Sequence, residues 1–221
     1  MTKAARLAMD TINSKIQEER KRNRQWEEQF ASVIDEFTIM GASKRGWTTW
    51  TIAAVDKRVK AAIPMVLDCL NMKQIFSDWF ANMGAWSFAL EPYYSEGLTA
   101  YFDDPSFERL ASVVDPYTYR DRLTMPKMVI SATGDEFFSP DDSYAWFDNM
   151  KGKTFLRLLP NAEHGMIPPQ GLSRPGIHGP DVPVQNRPVL APSGPLIPKK
   201  SINSTRNKVI LYVSSKKLSA T

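Results

Sequence analysis

Three residues of the types that form a nucleophilic site occur in an ordered series along the chain: Ser43, Asp135 and His164. A serine nucleophile needs a base to accept its proton and a third group to orient that base. The order serine, acid, histidine is the one used by hydrolases that hold the serine between a strand and a helix. The chain has two histidines, and the other, His178, lies in a proline-rich stretch. The series predicts acyl transfer, with Ser43 as nucleophile, His164 as base and Asp135 as the orienting acid.

The residues around Ser43 predict the strand, sharp turn and helix that such a serine requires. The stretch FTIMGASKRGWTTW spans residues 37–50, and Gly41 and Ala42 are small enough for a tight turn. The spacing is G-x-S-x-x-G, with Arg45 where the commoner motif has glycine, so the motif alone is modest evidence. The backbone N–H of Lys44, at the start of the helix, would supply one oxyanion donor.

Four short apolar runs predict the strands that position these residues: EFTIM, VKAAIPMVLD, KMVISAT and KTFLRLLP. Helical stretches separate them, which favours an α/β fold with a parallel sheet. Ligands of such sheets bind at the carboxyl ends of the strands. Four polar residues follow directly after these strands: Ser43, Asp68, Asp135 and His164. Asp68 is therefore a reserve acid, and Asp135 could also be an ordinary turn aspartate.

The remaining segments predict helices and an irregular tail. Residues 2–34 have helical apolar spacing, and Ser139 with Pro140 is typical of the start of a helix over SYAWFDNM. The aromatic segment, residues 71–123, reads as a helical, cap-like insertion in a domain spanning 1–167. Residues 168–221 are rich in proline and form a basic tail that we expect to be disordered, with KVILYVSSKK as a possible lone edge strand.

Composition excludes several classes of protein. The net charge of +4 comes from residues 171–221, which hold eight basic residues and one acidic residue, so the body has no nucleic-acid footprint. One cysteine, Cys69, excludes an internal disulfide framework and a cysteine zinc cluster. No stretch approaches the roughly 20 apolar residues of a membrane span, and the N-terminus has no signal peptide. We expect no cofactor and no metal, a small-molecule, peptide or ester substrate, and leave localisation and oligomeric state open.

The rival interpretation of the turn is a dinucleotide site. MGASKRGW superficially resembles the start of short-chain dehydrogenases, but that fingerprint needs glycine where Arg45 and Trp47 stand. Bulky side chains there would keep the backbone away from a pyrophosphate. The Tyr-x-x-x-Lys pattern of those enzymes occurs as Tyr212 and Lys216, in the tail. The sequence thus disfavours a dinucleotide.

Several long motifs closely resemble the PhoPQ-activated pathogenicity-related protein family. They are GASKRGWTTWTIAAVDKRVKAAIPMVLDCLNM, SFALEPYY, DPYTYRDRLTMPKMVISATGDEFFSPDD and LPNAEHGM, and the resemblance covers about residues 2–166. It implies an α/β-hydrolase fold in which Ser43, Asp135 and His164 match the triad positions. The pattern G-x-S-[basic]-x-G is also similar to glucuronoyl esterases, which implies that the Lys44 side chain contributes to the oxyanion site.

The resemblance also implies that complete members carry upstream strands, a second oxyanion donor and an export signal. We therefore expect a truncated member: half a sheet, an exposed edge beside the nucleophile strand, and weak or no activity alone. The alternative is a non-catalytic, secreted signalling or virulence-associated binding protein on a hydrolase scaffold.

Overall fold

A single parallel sheet organises the protein in the computed structural model, which describes residues 1–30, 32–166 and 208–212. Its strand order is β4-β3-β2-β1-β5, and every neighbouring pair is parallel. The strands are β1 (Glu36–Ala42), β2 (Val59–Met65), β3 (Lys127–Ala132), β4 (Thr154–Leu159) and β5 (Lys208–Tyr212). The carboxyl ends of β1 to β4 therefore lie along one edge of the sheet.

Six α-helices accompany the sheet in the described residues: α1 (Thr2–Arg22), α2 (Arg24–Gln29), α3 (Lys44–Val55), α4 (Met72–Met83), α5 (Glu91–Ser95) and α6 (Pro105–Val114). Short 3₁₀ helices cover Phe88–Leu90, Leu98–Tyr101, Pro116–Arg122, Asp142–Ala145 and Phe147–Asn149. α3 packs against β1 and β2, and α1 packs against α3. None of the described helices is long and apolar enough to cross a bilayer.

Apolar side chains of the sheet form part of a buried core. Phe37 and Ile39 of β1 are at most 1% exposed, and α3 adds Trp50 and Ile52, which are fully buried. Burial of such side chains stabilises a fold by roughly 1.5–3 kcal/mol each. Trp146 is also fully buried and meets Trp50 edge to face, with ring centroids 6.0 Å apart. This contact joins α3 to the segment after β3.

The predicted α/β class is confirmed, and the four apolar runs are β1 to β4. Two helix predictions were wrong in detail. The expected helix over 2–34 breaks at Asn23, where the backbone is extended (φ −140°) and the Asn23 side chain accepts a hydrogen bond from the N–H of Gln25 to start α2. The expected helix after Ser139 is instead two 3₁₀ helices, since the backbone leaves helical geometry at Trp146 (φ −145°).

The edge beside β1 also differs from expectation. We expected it to be exposed, but β5 pairs with it in parallel from Glu36↔Lys208 to Met40↔Tyr212. β5 therefore pairs with backbone N–H and C=O groups of β1 that would be unpaired at an exposed edge. Apart from β5, the tail that we expect to be disordered lies outside the described residues.

Candidate active site

The turn between β1 and α3 holds Ser43 in a strained backbone conformation, with φ at +53° and ψ at −126°. Such positive φ values are uncommon outside glycine and cluster at functional sites. The N–H of Ser43 donates to the carbonyl of Met65, at 2.9 Å, which ties the turn to the end of β2. Gly41 allows the turn, because a Cβ there would lie 2.6 Å from the carbonyl oxygen of Arg45.

The displaced glycine of the motif, Gly46, has a separate structural role. A Cβ at this position would lie 2.9 Å from the carbonyl oxygen of Met65 and 3.0 Å from the Cβ of Leu67. Gly46 therefore lets α3 approach the end of β2 closely. The sequence spacing could not indicate this role, because the contact joins two elements that are distant along the chain.

Ser43, His164 and Asp135 form a continuous hydrogen-bonded chain. Nε2 of His164 lies 2.8 Å from Oγ of Ser43, and Nδ1 of His164 lies 3.0 Å from each carboxyl oxygen of Asp135. The His164 side chain is 16% exposed and that of Asp135 is 1% exposed. The arrangement can pass a proton from the serine hydroxyl to the imidazole while the carboxylate orients the ring.

Backbone N–H groups fix the Asp135 carboxylate independently of the histidine. Oδ1 of Asp135 accepts from the N–H groups of Phe137, at 2.9 Å, and Phe138, at 3.2 Å. Hydrogen bonds to an ionised acceptor are stronger than neutral ones and favour the charged form. Asp135 is thus both a turn aspartate and the partner of His164, so the two interpretations left open by the sequence coexist.

Glu136 holds the loop that carries His164. Its Oε2 accepts the backbone N–H of His164 at 3.1 Å. The hydrogen bond from Gly134 N–H to Ala162 carbonyl, at 2.9 Å, joins the same two loops. The position of Glu136 next to Asp135 was the available signal. It was not decisive, because neighbouring side chains point in different directions.

The imidazole lies against two aromatic rings of the acid loop. The ring centroids of Phe137 and His164 are 4.4 Å apart, and those of Phe138 and His164 are 6.0 Å apart. Both phenylalanines are partly buried. Their packing against the imidazole restricts its rotation.

The reserve acid, Asp68, has no hydrogen bond with the histidine. Its Oδ1 accepts a hydrogen bond from the indole Nε1 of Trp146, and the residue is 1% exposed. Burial, together with the nearby Asp135 charge, raises the pKa of Asp68 to about 7, while the indole hydrogen bond opposes the rise. The structure thus brings Ser43, Asp135 and His164 together and leaves Asp68 outside their contact.

Lys44 begins α3, so its backbone N–H is one of the first-turn groups that have no partner within the helix. It follows the strained Ser43 directly in the chain. The Lys44 side chain is exposed. Within the described residues, no group of three or more His, Cys, Asp or Glu side chains could hold a metal ion.

Two hydrogen bonds attach the aromatic segment to the site, one to α3 and one to the loop after β3. Nε1 of Trp47, in α3, donates to the carbonyl of Val114 at 2.6 Å. Oγ of Ser87 donates to the carbonyl of Glu136 at 2.5 Å. The segment therefore contacts both α3 and the loop after β3.

Comparison with known proteins relates the chain to one family. The family profile described as PhoPQ-activated pathogenicity-related protein matches residues 1–174. Autocrine proliferation repressor protein A of Dictyostelium discoideum is 39% identical over 173 residues, which are 76% of this chain and 32% of that protein. The chain therefore spans about a third of the length of this relative.

Solved structures with a similar fold include esterases and peptidases. An acetyl xylan esterase from Paenibacillus sp. R4 has a TM-score of 0.49 at 15% identity, over 61% of this chain and 42% of the esterase. An acylaminoacyl peptidase from Pyrococcus horikoshii has a TM-score of 0.40 at 17% identity, over 60% of this chain and 20% of the peptidase. The architecture seen in this chain, a parallel sheet with flanking helices, is the predicted α/β class.

Proposed function

The chain belongs to the PhoPQ-activated pathogenicity-related protein family, and we propose that it carries the nucleophilic half of a serine-type α/β hydrolase. The observation that carries the proposal is the unbroken contact from Ser43 Oγ through the His164 ring to the Asp135 carboxylate. The substrate class is an ester or amide, because this arrangement activates a hydroxyl for attack on an acyl carbon.

In the proposed reaction, Ser43 Oγ attacks the acyl carbon while Nε2 of His164 takes its proton. The carboxylate of Asp135 stabilises the imidazolium that forms. His164 then gives the proton to the leaving oxygen or nitrogen, and an acyl-enzyme remains on Ser43. Water, deprotonated by His164, releases the acid and restores the serine.

The oxyanion of the tetrahedral intermediate would accept from the Lys44 N–H. Loss of a single oxyanion donor in such enzymes costs on the order of 10²–10³ in rate. One donor is assigned among the described residues, so we expect this chain alone to be weakly active. The Lys44 side chain, exposed at the same turn, would add a charged donor, and Lys44→Ala should then lower kcat/KM.

The aromatic segment would act as a cap that shapes the acyl pocket. Its interior is a cluster of rings in which Phe76 and Phe102 stack, with centroids 5.6 Å apart, and Trp86 meets Phe102 edge to face at 5.7 Å. Its attachments to Trp47 and to the carbonyl of Glu136 hold it beside the nucleophile helix and the acid loop. Apolar, aromatic lining is typical of small-molecule pockets.

Turnover of p-nitrophenyl acetate tests the proposal. We expect slow release of nitrophenol above the buffer rate, lost in Ser43→Ala and retained in Ser112→Ala, which changes an exposed serine of α6. Turnover that persists in Ser43→Ala would overturn the assignment. A kcat/KM of about 10⁴ M⁻¹s⁻¹ or more, the lower end for ordinary enzymes, would overturn the expectation of weak activity.

The alternative of a binding protein on a hydrolase scaffold predicts a different result. Such a protein needs no reactive serine, so a folded chain would resist a fluorophosphonate, which modifies activated serines. Labelling of the wild type and not of Ser43→Ala favours the hydrolase.

A further inference from the structure

Two other buried carboxyls, Asp68 and Asp142, interact electrostatically with Asp135, the acid of the candidate triad. Over the whole residue, backbone included, Asp68 is 1% exposed, and Asp135 and Asp142 are each 6% exposed. They come from the segment after β2, the loop after β3 and the following 3₁₀ helix. Several like charges in one buried place cannot all be ionised without a large cost. The surroundings of each carboxyl therefore determine which of the three is ionised.

Hydrogen-bond donors separate the three groups. Asp135 receives the N–H groups of Phe137 and Phe138 and the Nδ1 of His164. Asp68 receives the indole N–H of Trp146. No described residue donates a hydrogen bond to Oδ2 of Asp142. A charged carboxylate needs several donors when it is buried, so the donor supply favours one anion, Asp135.

We propose that Asp68 is a positioning residue that holds a proton behind the Asp135–His164 contact at rest, and that releasing this proton adds a second negative charge which strengthens His164 as a base. Asp142 is a second proton holder in the same group. Asp68 has no hydrogen bond with His164, and its influence on the imidazole passes through Asp135.

The charges around the group are consistent with this assignment. Burial and the Asp135 charge raise the pKa of Asp68 to about 7, and burial with the neighbouring carboxyls Asp68, Asp141 and Asp135 raises that of Asp142 to about 9. The Cys69 thiol interacts with Asp68 and Asp142, and the Asp115 carboxyl interacts with Cys69; burial raises the pKa of both groups. Among the described residues, no Lys or Arg side chain contributes to these shifts. Asp68 is then the member of the group that changes charge near neutral pH.

The inference rests on the proposed function for its kinetic consequence, but its test needs no turnover. The probe is the His164 ring, whose ¹⁵N signals can be followed by NMR against pH in a His178→Gln background that leaves one histidine. The wild type should show two steps, the titration of the ring and a smaller step near pH 7 from Asp68. Asp68→Asn should remove the second step. Asp142→Asn should retain it, because Asp142 keeps its proton until about pH 9.

A second measurement keeps the inference falsifiable if Asp68→Asn does not fold. In wild-type protein with ¹³C-labelled aspartate, the Asp68 carboxyl signal should change near pH 7. A carboxylate signal for Asp68 throughout a titration from pH 5 to 9 would overturn the inference. So would a second His164 step that survives Asp68→Asn. Failure of ester turnover with both NMR results as expected would overturn the proposed function alone.

Discussion

The loops after β2 and β3 each place a buried aspartate at the carboxyl edge of the sheet, yet the two differ in what surrounds the carboxyl. Asp135 receives two backbone N–H groups and the His164 ring, whereas Asp68 receives one indole N–H. Position at a strand end therefore does not fix the role of an acid. The donors supplied by the following loop decide whether the acid can be a charged partner of the histidine.

The largest expected effect distinguishes the two acids directly. Asp135→Asn should slow fluorophosphonate labelling of Ser43 by on the order of 10³-fold or more, because an amide does not stabilise the imidazolium or hold its tautomer. The matched variant, Asp68→Asn, should change the labelling rate by less than about tenfold. Labelling rates are measured by intact-protein mass spectrometry at pH 7. Equal losses in both variants would remove the distinction between the two loops.

The pH dependence of stability should sharpen the contrast. An unfolded aspartate titrates near pH 3.9, while in the folded protein the pKa of Asp142 is raised to about 9. Between these values the folded state binds more protons, so stability falls as pH rises, by up to about 1.4 kcal/mol per pH unit for each such group. In urea titrations at pH 5, 6 and 7, Asp142→Asn should lose stability less steeply than the wild type. Identical slopes would show that Asp142 is ionised when folded.

A smaller effect is expected from the donor on the Asp68 side. Trp146→Phe keeps a ring against Trp50 but removes the indole N–H from Asp68, which should lower the free energy of unfolding by about 1–2 kcal/mol. Chemical denaturation measures this loss. The labelling rate of Ser43 should stay within about threefold of the wild type. A labelling loss as large as that of Asp135→Asn would place Trp146 and Asp68 in the proton-transfer chain itself.

The contrast between the two loops also shows which features of the structure could be predicted from the sequence. The four apolar runs and the residues after them predicted the sheet and its polar edge, because strand ends in a parallel sheet meet at one side. The choice between Asp68 and Asp135 depends on backbone N–H directions in loops. The reason for Gly46 depends on a contact between α3 and β2. Neither the N–H directions in the loops nor the contact between α3 and β2 produces a periodic pattern in the sequence.

Two other differences have the same origin. The segment after Ser139 has helical composition, but it forms two 3₁₀ helices. Between them, Trp146 is buried in the core and donates a hydrogen bond to Asp68. The pairing of β5 with β1 joins residues about 170 positions apart, and local propensity carries no information about such a partner.

The smallest effect concerns the histidine loop. Glu136→Ala removes the acceptor of the His164 N–H and should slow labelling of Ser43 by about three- to tenfold, because the ring is held less firmly. Glu136→Gln keeps a side-chain oxygen at this place and should restore most of the rate. If Gln were as slow as Ala, the charge of Glu136 and not its hydrogen bond would be responsible.

The central claim, an activated Ser43, is tested most directly by locating the label. Folded wild-type protein, verified by circular dichroism, is treated with a fluorophosphonate and digested, and the modified peptide is sequenced by mass spectrometry. The account predicts a single modification on Ser43, absent in Ser43→Ala and strongly slowed in Asp135→Asn. A folded protein that stays unlabelled, or a label on another serine, would contradict it.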